Sequence, residues 1–181
     1  MKFIFTLCLS MLAVAAAAVS PQSRKETNDL DMLELANVNG PINVLKRKHH
    51  TSTKLRCLSA TKIQEYSETQ YKYRLNARLP SGIYDGENVD VTLFRSPVQP
   101  NIYKSRYTSQ KTGLDVELTL KAMNGEKSCF VVFVNNSDGD SGCELLMQAS
   151  KYTGVIPIDC ATYYETKCRG GSVDLYVNSC L

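Results

Sequence analysis

Cysteine positions constrain this chain more than any other feature, because five of its seven cysteines lie in the last third. The seven are Cys8, Cys57, Cys129, Cys143, Cys160, Cys168 and Cys180. Cys8 lies in an N-terminal stretch with one basic residue, a short apolar segment and an alanine-rich end, which is typical of a secretory signal peptide. We expect residues 1–18 to be removed and residues 19–181 to form one secreted domain. The remaining six cysteines would pair in an oxidising compartment, so we expect three disulfides.

Charge and hydropathy argue against two classes of partner. The formal net charge of +3 includes Lys2, which would leave with the signal peptide, and so weak an excess predicts no general attraction to nucleic acid. No later segment approaches the roughly 18 continuous apolar residues that a membrane span needs. The basic run Lys46-Arg47-Lys48-His49-His50 could bind heparin or a membrane surface, but we expect a solvated strand end.

Alternation with a period of two dominates the middle of the chain. It is clearest where Leu114, Val116, Leu118 and Leu120 alternate with polar residues, which places one face in a dry interior and the other in water. Turn signals separate such runs, among them Pro80-Ser81-Gly82, Asp85-Gly86 and Asn124-Gly125. The pattern predicts strands at residues 42–48, 55–63, 70–79, 88–95, 101–108, 113–121, 128–135 and 143–149.

Two helices are predicted, one before and one after these strands. Residues 29–38 carry apolar residues at helical spacing, and residues 157–168 begin with Pro157 and stop before Gly170-Gly171. A final extended piece at residues 173–177 would bring Cys180 back towards the strands. Eight antiparallel strands joined by hairpins form a sandwich or an up-and-down barrel, and the barrel is favoured because closure leaves no exposed edge. The expected fold is all-β with terminal helices.

The order of these elements over residues 29–180, together with the cysteine spacing, resembles the tick salivary lipocalins, the family of the histamine-binding proteins. The resemblance implies an eight-stranded antiparallel up-and-down lipocalin barrel, with a short N-terminal helix and a C-terminal helix tethered by disulfides. Carried over from the family, the pairing joins Cys57 with Cys180 and Cys129 with Cys160, which leaves Cys143 for Cys168. The general lipocalin signature Gly-x-Trp is missing, because the chain contains no tryptophan, but this family often lacks it.

Two residues depart from the motif of the amine-binding family members, which carry Cys-Asp-[Val/Ile/Leu], then Glu-Leu-[Trp/Tyr], then Cys. Phe130 stands in place of the aspartate and Leu146 in place of the aromatic residue, while Glu144 is kept. An ammonium group loses hydration inside a closed barrel and needs a carboxylate or aromatic faces in return. We therefore expect a small hydrophobic ligand with one polar end, either cholesterol or a fatty-acid-derived mediator such as a leukotriene, bound to modulate host immune or inflammatory responses.

Other functions stay open at this point. Some family members carry eicosanoids and the japanins carry cholesterol, and the sequence does not choose between the two. Biogenic amines such as histamine or serotonin are alternative ligands, with Glu144 as the binding acid. A third function is that of a monomer in saliva that binds a host immune-cell surface or a plasma protein through its outer wall, without a small ligand.

Nine residues on strand faces that point inward are predicted to line the ligand site. They are Tyr71, Tyr73, Leu75, Val116, Leu118, Phe130, Val132, Glu144 and Leu146. The two tyrosines alternate with Lys72 and Arg74, and they are either ligand contacts or ordinary barrel core. Glu144 either binds the ligand or pairs with a basic residue such as Arg74 or Lys104.

Catalytic motifs are missing from the sequence. It contains no Gly-x-Ser-x-Gly, no His-Glu-x-x-His and no phosphate-binding loop. Its two histidines, His49 and His50, are adjacent and would point to opposite faces of a strand, so they neither orient a nucleophile nor chelate one metal ion together. We expect no enzyme, no cofactor and no metal site. Asn135-Asn136-Ser137 is an N-glycosylation sequon, and we predict glycosylation of Asn135 at an exposed hairpin tip.

Overall fold

The structure, a computed structural model, describes residues 29–51, 54–177 and 180. The predicted signal peptide, residues 1–18 with Cys8, lies outside the described residues. The helices are α1 (Leu33–Ala36) and α2 (Ile158–Lys167). The strands are β1 (Ile42–Arg47), β2 (Arg56–Ser67), β3 (Gln70–Arg78), β4 (Tyr84–Arg95), β5 (Tyr103–Thr108), β6 (Asp115–Met123), β7 (Cys129–Asn136), β8 (Ser141–Gln148) and β9 (Val173–Asp174). No helix in these ranges is long and apolar enough to cross a bilayer.

Strands β1 to β8 form a closed antiparallel barrel. Neighbours pair in chain order from β2 to β8, and β1 pairs with both β8 and β2. The contact that closes the barrel is short, with Ile42 opposite Ala60 and Asn43 opposite Ser59. The two-residue β9 then pairs with β1. The predicted eight-stranded antiparallel up-and-down barrel with terminal helices is confirmed.

The hairpin between β3 and β4 differs from the sequence prediction, because β4 begins at Tyr84 rather than at residue 88. The turn lies at Gly82, which has a φ of +87°. Asp85 and Gly86 follow this turn and already pair with β3. A Cβ atom on Gly86 would lie 2.3 Å from the carbonyl oxygen of Leu75. The predicted turn at Asp85-Gly86 is therefore wrong, and glycine is needed there because the two strands approach closely.

Helix α1 is much shorter than the predicted helix at residues 29–38, because the preceding residues bond to the barrel. The backbone N–H of Leu30 donates to the carbonyl oxygen of Leu120 at 2.9 Å, and that of Met32 donates to Tyr103 at 3.1 Å. These bonds hold the chain across the barrel end and delay the start of the helix. Met32 is 2% exposed, and with Leu35 it lines the barrel interior, so this segment closes one end.

Helix α2 packs on the outer wall of β6, β7 and β8, around a second apolar core that is separate from the barrel interior. Two disulfides, Cys129–Cys160 and Cys143–Cys168, join this helix to β7 and β8. A third, Cys57–Cys180, ties the C-terminal end of the chain to β2. These are the three pairs that the family resemblance implies.

Lys48 holds the C-terminal end of α2. Its ammonium group donates to the carbonyl oxygens of Tyr164 at 2.9 Å and Cys168 at 3.3 Å, where the helix dipole favours a cation. The side chain is 6% exposed. The prediction that the basic run is a solvated strand end is wrong, because strand alternation sends Lys48 into the outer core and the neighbouring Arg47 into the barrel.

Candidate ligand-binding site

The barrel encloses a cavity of about 480 Å³. Met32 and Leu35 line one end, and Leu79, Lys111 and Thr112 line the other end, beyond β3 and β5. Lys111 and Thr112 are exposed, so the cavity opens to solvent there. Its volume falls within the roughly 300–1,000 Å³ that is typical of small-molecule sites.

Most of the cavity wall is apolar, as the alternation of the strands predicts. Eight of the nine predicted site residues line it, namely Tyr71, Tyr73, Leu75, Val116, Leu118, Val132, Glu144 and Leu146. The ninth, Phe130, is 0% exposed and belongs to the barrel core without lining the cavity; its register partners are Met123 on β6 and Leu146 on β8. Contact of these residues with a ligand stays a prediction.

A polar cluster interrupts the apolar wall where the chain leaves β1 beside β8. Arg47 lies opposite Glu144 in the strand register, and His49 follows two residues later. The Nε2 atom of His49 lies 2.9 Å from a carboxylate oxygen of Glu144. Its Nδ1 atom lies 3.4 Å from the carbonyl oxygen of His50 and 3.7 Å from the carboxylate of Asp140. We call Arg47, His49 and Glu144 the polar cluster.

The imidazole of His49 has acceptors at both ring nitrogens, which suits the protonated form. Burial lowers the pKa of His49, but the hydrogen bond and the negative charge of Glu144 outweigh burial, so the pKa lies above its ordinary value of 6.5. Burial also lowers the pKa of Arg47, a change that the charge of Glu144 opposes. The carboxylate of Glu144 therefore lies beside two basic side chains.

Sequence reasoning missed His49 as the partner of Glu144. The basic residues named as candidates bond elsewhere, since Arg74 donates to asparagine side chains on β3 and β4, and Lys104 donates to Glu117 at 2.8 Å. One signal was available, because strand alternation places His49 on the same face as Arg47. The predicted barrel implies that β1 pairs with β8, but the register that places Arg47 opposite Glu144 could not be read from the sequence.

Two further acids line the open end of the cavity, and both have partners. Asp85 forms an ion pair with Lys111. Glu87 accepts a hydrogen bond from the Ser109 hydroxyl at 2.6 Å, and others from the backbone N–H groups of Gln110 and Lys111 at 2.9 and 3.2 Å. These contacts tie the loop after β5 to the start of β4. Within the described ranges, no group of three or more His, Cys, Asp or Glu side chains is arranged to hold a metal ion.

Tyr107 is a cavity residue that the sequence prediction did not include. It lies on β5 two residues after Ser105, and both line the cavity, so alternation was the available signal. Burial raises the pKa of Tyr107, and the charges of Glu144 and Glu87 raise it further. The phenol therefore stays neutral and offers a hydroxyl group near the polar cluster.

Residues 35–181 match the family model of the tick histamine binding protein. This match agrees with the lipocalin-like barrel and its disulfides. The chain belongs to this family. The resemblance to the tick salivary lipocalins is thereby confirmed. No curated protein has a significant sequence match to this chain.

Solved structures with the same fold include japanin from Rhipicephalus appendiculatus bound to cholesterol, with 9% sequence identity and a TM-score of 0.51 over 77% of this family member and 93% of japanin. The siderocalin Ex-FABP is 12% identical, with a TM-score of 0.46 over 78% of this chain and 91% of its own. Lobster apocrustacyanin A1 is 9% identical, with a TM-score of 0.47 over 76% of each chain. At such identities the likeness to japanin shows a shared fold alone.

Proposed function

We propose that this protein is a secreted salivary lipocalin that binds a small hydrophobic ligand with one polar end, and thereby modulates host immune or inflammatory responses. The observation that carries the proposal is the cavity of about 480 Å³, whose apolar wall is interrupted by a compact polar cluster. Membership of the tick family supports the secreted, ligand-binding part of the proposal. Three disulfides and the exposed Asn135, whose glycosylation remains a prediction, are compatible with export.

An apolar ligand body is favoured because the cavity wall removes it from water, at about 25 cal/mol per Å² of apolar surface buried. The polar cluster then offers donors on Arg47 and an acceptor on Glu144 to one polar end, with the Tyr107 hydroxyl on the same wall. A sterol hydroxyl and a fatty-acid carboxylate can both accept hydrogen bonds from Arg47 and Tyr107, and the hydroxyl can also donate to Glu144. Cholesterol is the ligand of japanin, which supports a sterol as one candidate of the class.

Capture of a biogenic amine is the weaker candidate. An ammonium group needs an acidic partner inside the barrel, and the carboxylate of Glu144 already bonds to His49 at 2.9 Å. Phe130 supplies no charge where amine-binding relatives carry an aspartate, and Leu146 supplies no aromatic face where they carry an aromatic residue. Histamine and serotonin are therefore expected to bind weakly.

The test is native mass spectrometry of the secreted protein, followed by lipid extraction. We expect a co-purified lipid or sterol that is lost in Val91→Trp, because a large ring at this lining position fills the cavity. Asp90→Trp is the matched control, since Asp90 is the exposed neighbour on the same strand and should retain the ligand. Recovery of an empty barrel that also fails to bind leukotrienes, fatty acids and cholesterol would refute the proposal.

A further inference from the structure

We infer that His49 determines the specificity of this cavity: it occupies the carboxylate of Glu144 and thereby rejects ligands with a cationic end. The inference rests on the proposed function, because it concerns the polar end of a ligand whose apolar body fills the barrel. It assigns a role in ligand selection to a residue just outside β1. The role follows from the contacts of His49 and from the charges that line the cavity.

Among the described residues, the carboxylates that line the cavity are each engaged by a neighbour. They are Asp85, Glu87 and Glu144. Asp85 pairs with Lys111, and Glu87 accepts three hydrogen bonds from the loop after β5. Glu144 lies two residues from Leu146 on β8, and both line the cavity. Its engagement by His49 therefore decides whether a ligand cation finds a counter-charge beside the apolar body.

Packing fixes the position of His49 rather than leaving it to a mobile side chain. The imidazole is 4% exposed, against 17% for the side chain of Glu144. The chain after β1 passes so close to β8 that a Cβ atom on Gly142 would lie 2.4 Å from the carbonyl oxygen of Lys48 and 2.8 Å from the Cβ atom of His49. Glycine at position 142 thus permits the approach that brings the imidazole to the carboxylate.

A cationic ligand end would have to displace this imidazole and would then lie beside Arg47. The ionisable groups around His49 are Arg47 and Glu144, Asp140 in the turn before β8, and, through Arg47 and Glu144, Arg56 on β2 and Tyr107 on β5. With His49 protonated, the cations Arg47, His49 and Arg56 outnumber the acids Glu144 and Asp140. An added ammonium group would leave an uncompensated cation in a site that is largely closed to water, which is unfavourable.

Proton binding at His49 and ammonium binding at Glu144 are therefore competitive. The raised pKa of His49 favours the proton near neutral pH, and deprotonation at higher pH releases one positive charge from the site. An alkylammonium group stays charged over this range because its pKa is similar to that of lysine, about 10.4. Binding of a hydrophobic amine should therefore tighten as the pH rises, whereas binding of a hydrophobic alcohol should not tighten with it.

The experiment compares dodecylamine with dodecanol as probes, by calorimetry on the intact secreted protein. His49→Leu removes the imidazole and leaves Glu144 next to a single cation. The selectivity for dodecylamine over dodecanol should rise at least about tenfold in this variant relative to the wild type. His50→Leu is the matched control, because the neighbouring His50 is exposed and should leave the selectivity unchanged. Adding Glu144→Gln to His49→Leu should abolish the gain.

The wild-type protein provides a second measurement that does not depend on the folding of a variant. Its affinity for dodecylamine should rise as the pH is raised from below 6.5, the ordinary pKa of histidine, through the raised pKa at which His49 loses its proton. Unchanged selectivity in a folded His49→Leu protein, or a dodecylamine affinity that does not change with pH, would overturn the inference. Failure of the wild type to bind dodecanol, dodecanoate and dodecylamine alike would instead count against the proposed function.

Discussion

At the scale of single residues, the basic run after residue 45 shows how neighbours in sequence reach different environments. Strand alternation places Lys48 in the outer core and directs Arg47 and His49 into the barrel, while His50 is exposed. A charge taken out of water needs a partner. Lys48 has partners in the carbonyl oxygens of α2, and His49 has one in Glu144.

The raised pKa of His49 makes the stability of the fold depend on pH. A group whose folded-state pKa lies above its unfolded value stabilises the fold fully below the unfolded value, here 6.5, and ceases to do so as the pH rises through the folded-state pKa. As the pH rises above 6.5, we expect the melting temperature of the wild type to fall further than that of His49→Gln. His50→Gln, the exposed control, should follow the wild type. Parallel melting curves for wild type and His49→Gln across this range would contradict the assigned protonation.

At the scale of secondary-structure elements, α2 is held against the barrel by a buried cation as well as by disulfides. The ammonium group of Lys48 reaches two carbonyl oxygens at the end of the helix and lies 4.6 Å from the ring centre of Tyr164. A short helix exposes carbonyl groups at its last turn, and burial of that turn requires donors. Lys48, the residue directly after β1, supplies them across the outer core.

Replacement of Lys48 tests this anchor. Lys48→Met keeps the length of the side chain but leaves buried carbonyl oxygens without their donor, so we expect a loss of about 1–3 kcal/mol in the free energy of unfolding. Lys46→Met is the matched control, because Lys46 pairs with the largely exposed Asp174 and its loss should change stability by less than about 0.5 kcal/mol. Unfolding in guanidinium chloride measures the free energy of unfolding of both variants. Equal effects of the two changes would mean that Lys48 does not anchor α2.

At the scale of the whole molecule, barrel closure depends on a weak seam and a long covalent link. The seam between β1 and β2 has two pairs of register partners, Ile42 with Ala60 and Asn43 with Ser59. Near it, Cys57 on β2 bonds to Cys180, which is 123 residues away in sequence. The disulfide therefore restricts the unfolded chain over most of the described barrel.

The disulfide that closes the longest loop should contribute more to stability than the one that closes the shortest loop. In the chain-entropy model, a loop of the length closed by Cys57–Cys180 stabilises by about 5 kcal/mol, and one as short as that closed by Cys143–Cys168 by about 3.5 kcal/mol. The corresponding sequence separations are 123 and 25 residues. Replacing each pair by alanine and measuring denaturant unfolding should show the larger loss for the long loop. The reverse order would indicate that folded-state contacts, rather than loop length, set these contributions.

The sequence by itself determined most of the strands and most of the inner wall, and its resemblance to the tick lipocalins implied the barrel. Alternation depends only on neighbours two residues apart, so Tyr71, Tyr73 and Leu75 could be assigned to the inside without knowing which strands they pair with. The same local information misplaced the turn at Asp85-Gly86, because a glycine that permits close strand approach has the same sequence signal as a glycine in a turn.

Only the tertiary structure decided the chemistry of the polar cluster. Glu144 and His49 are 95 residues apart in sequence and meet because the chain closes its first strand against its last. A closed barrel fixes which side chains share a wall. Charged side chains that are buried on that wall are stable only when they pair with groups of opposite charge. The sequence contains the charged residues and their faces, whereas the register between β1 and β8 decides that Glu144 already has a partner.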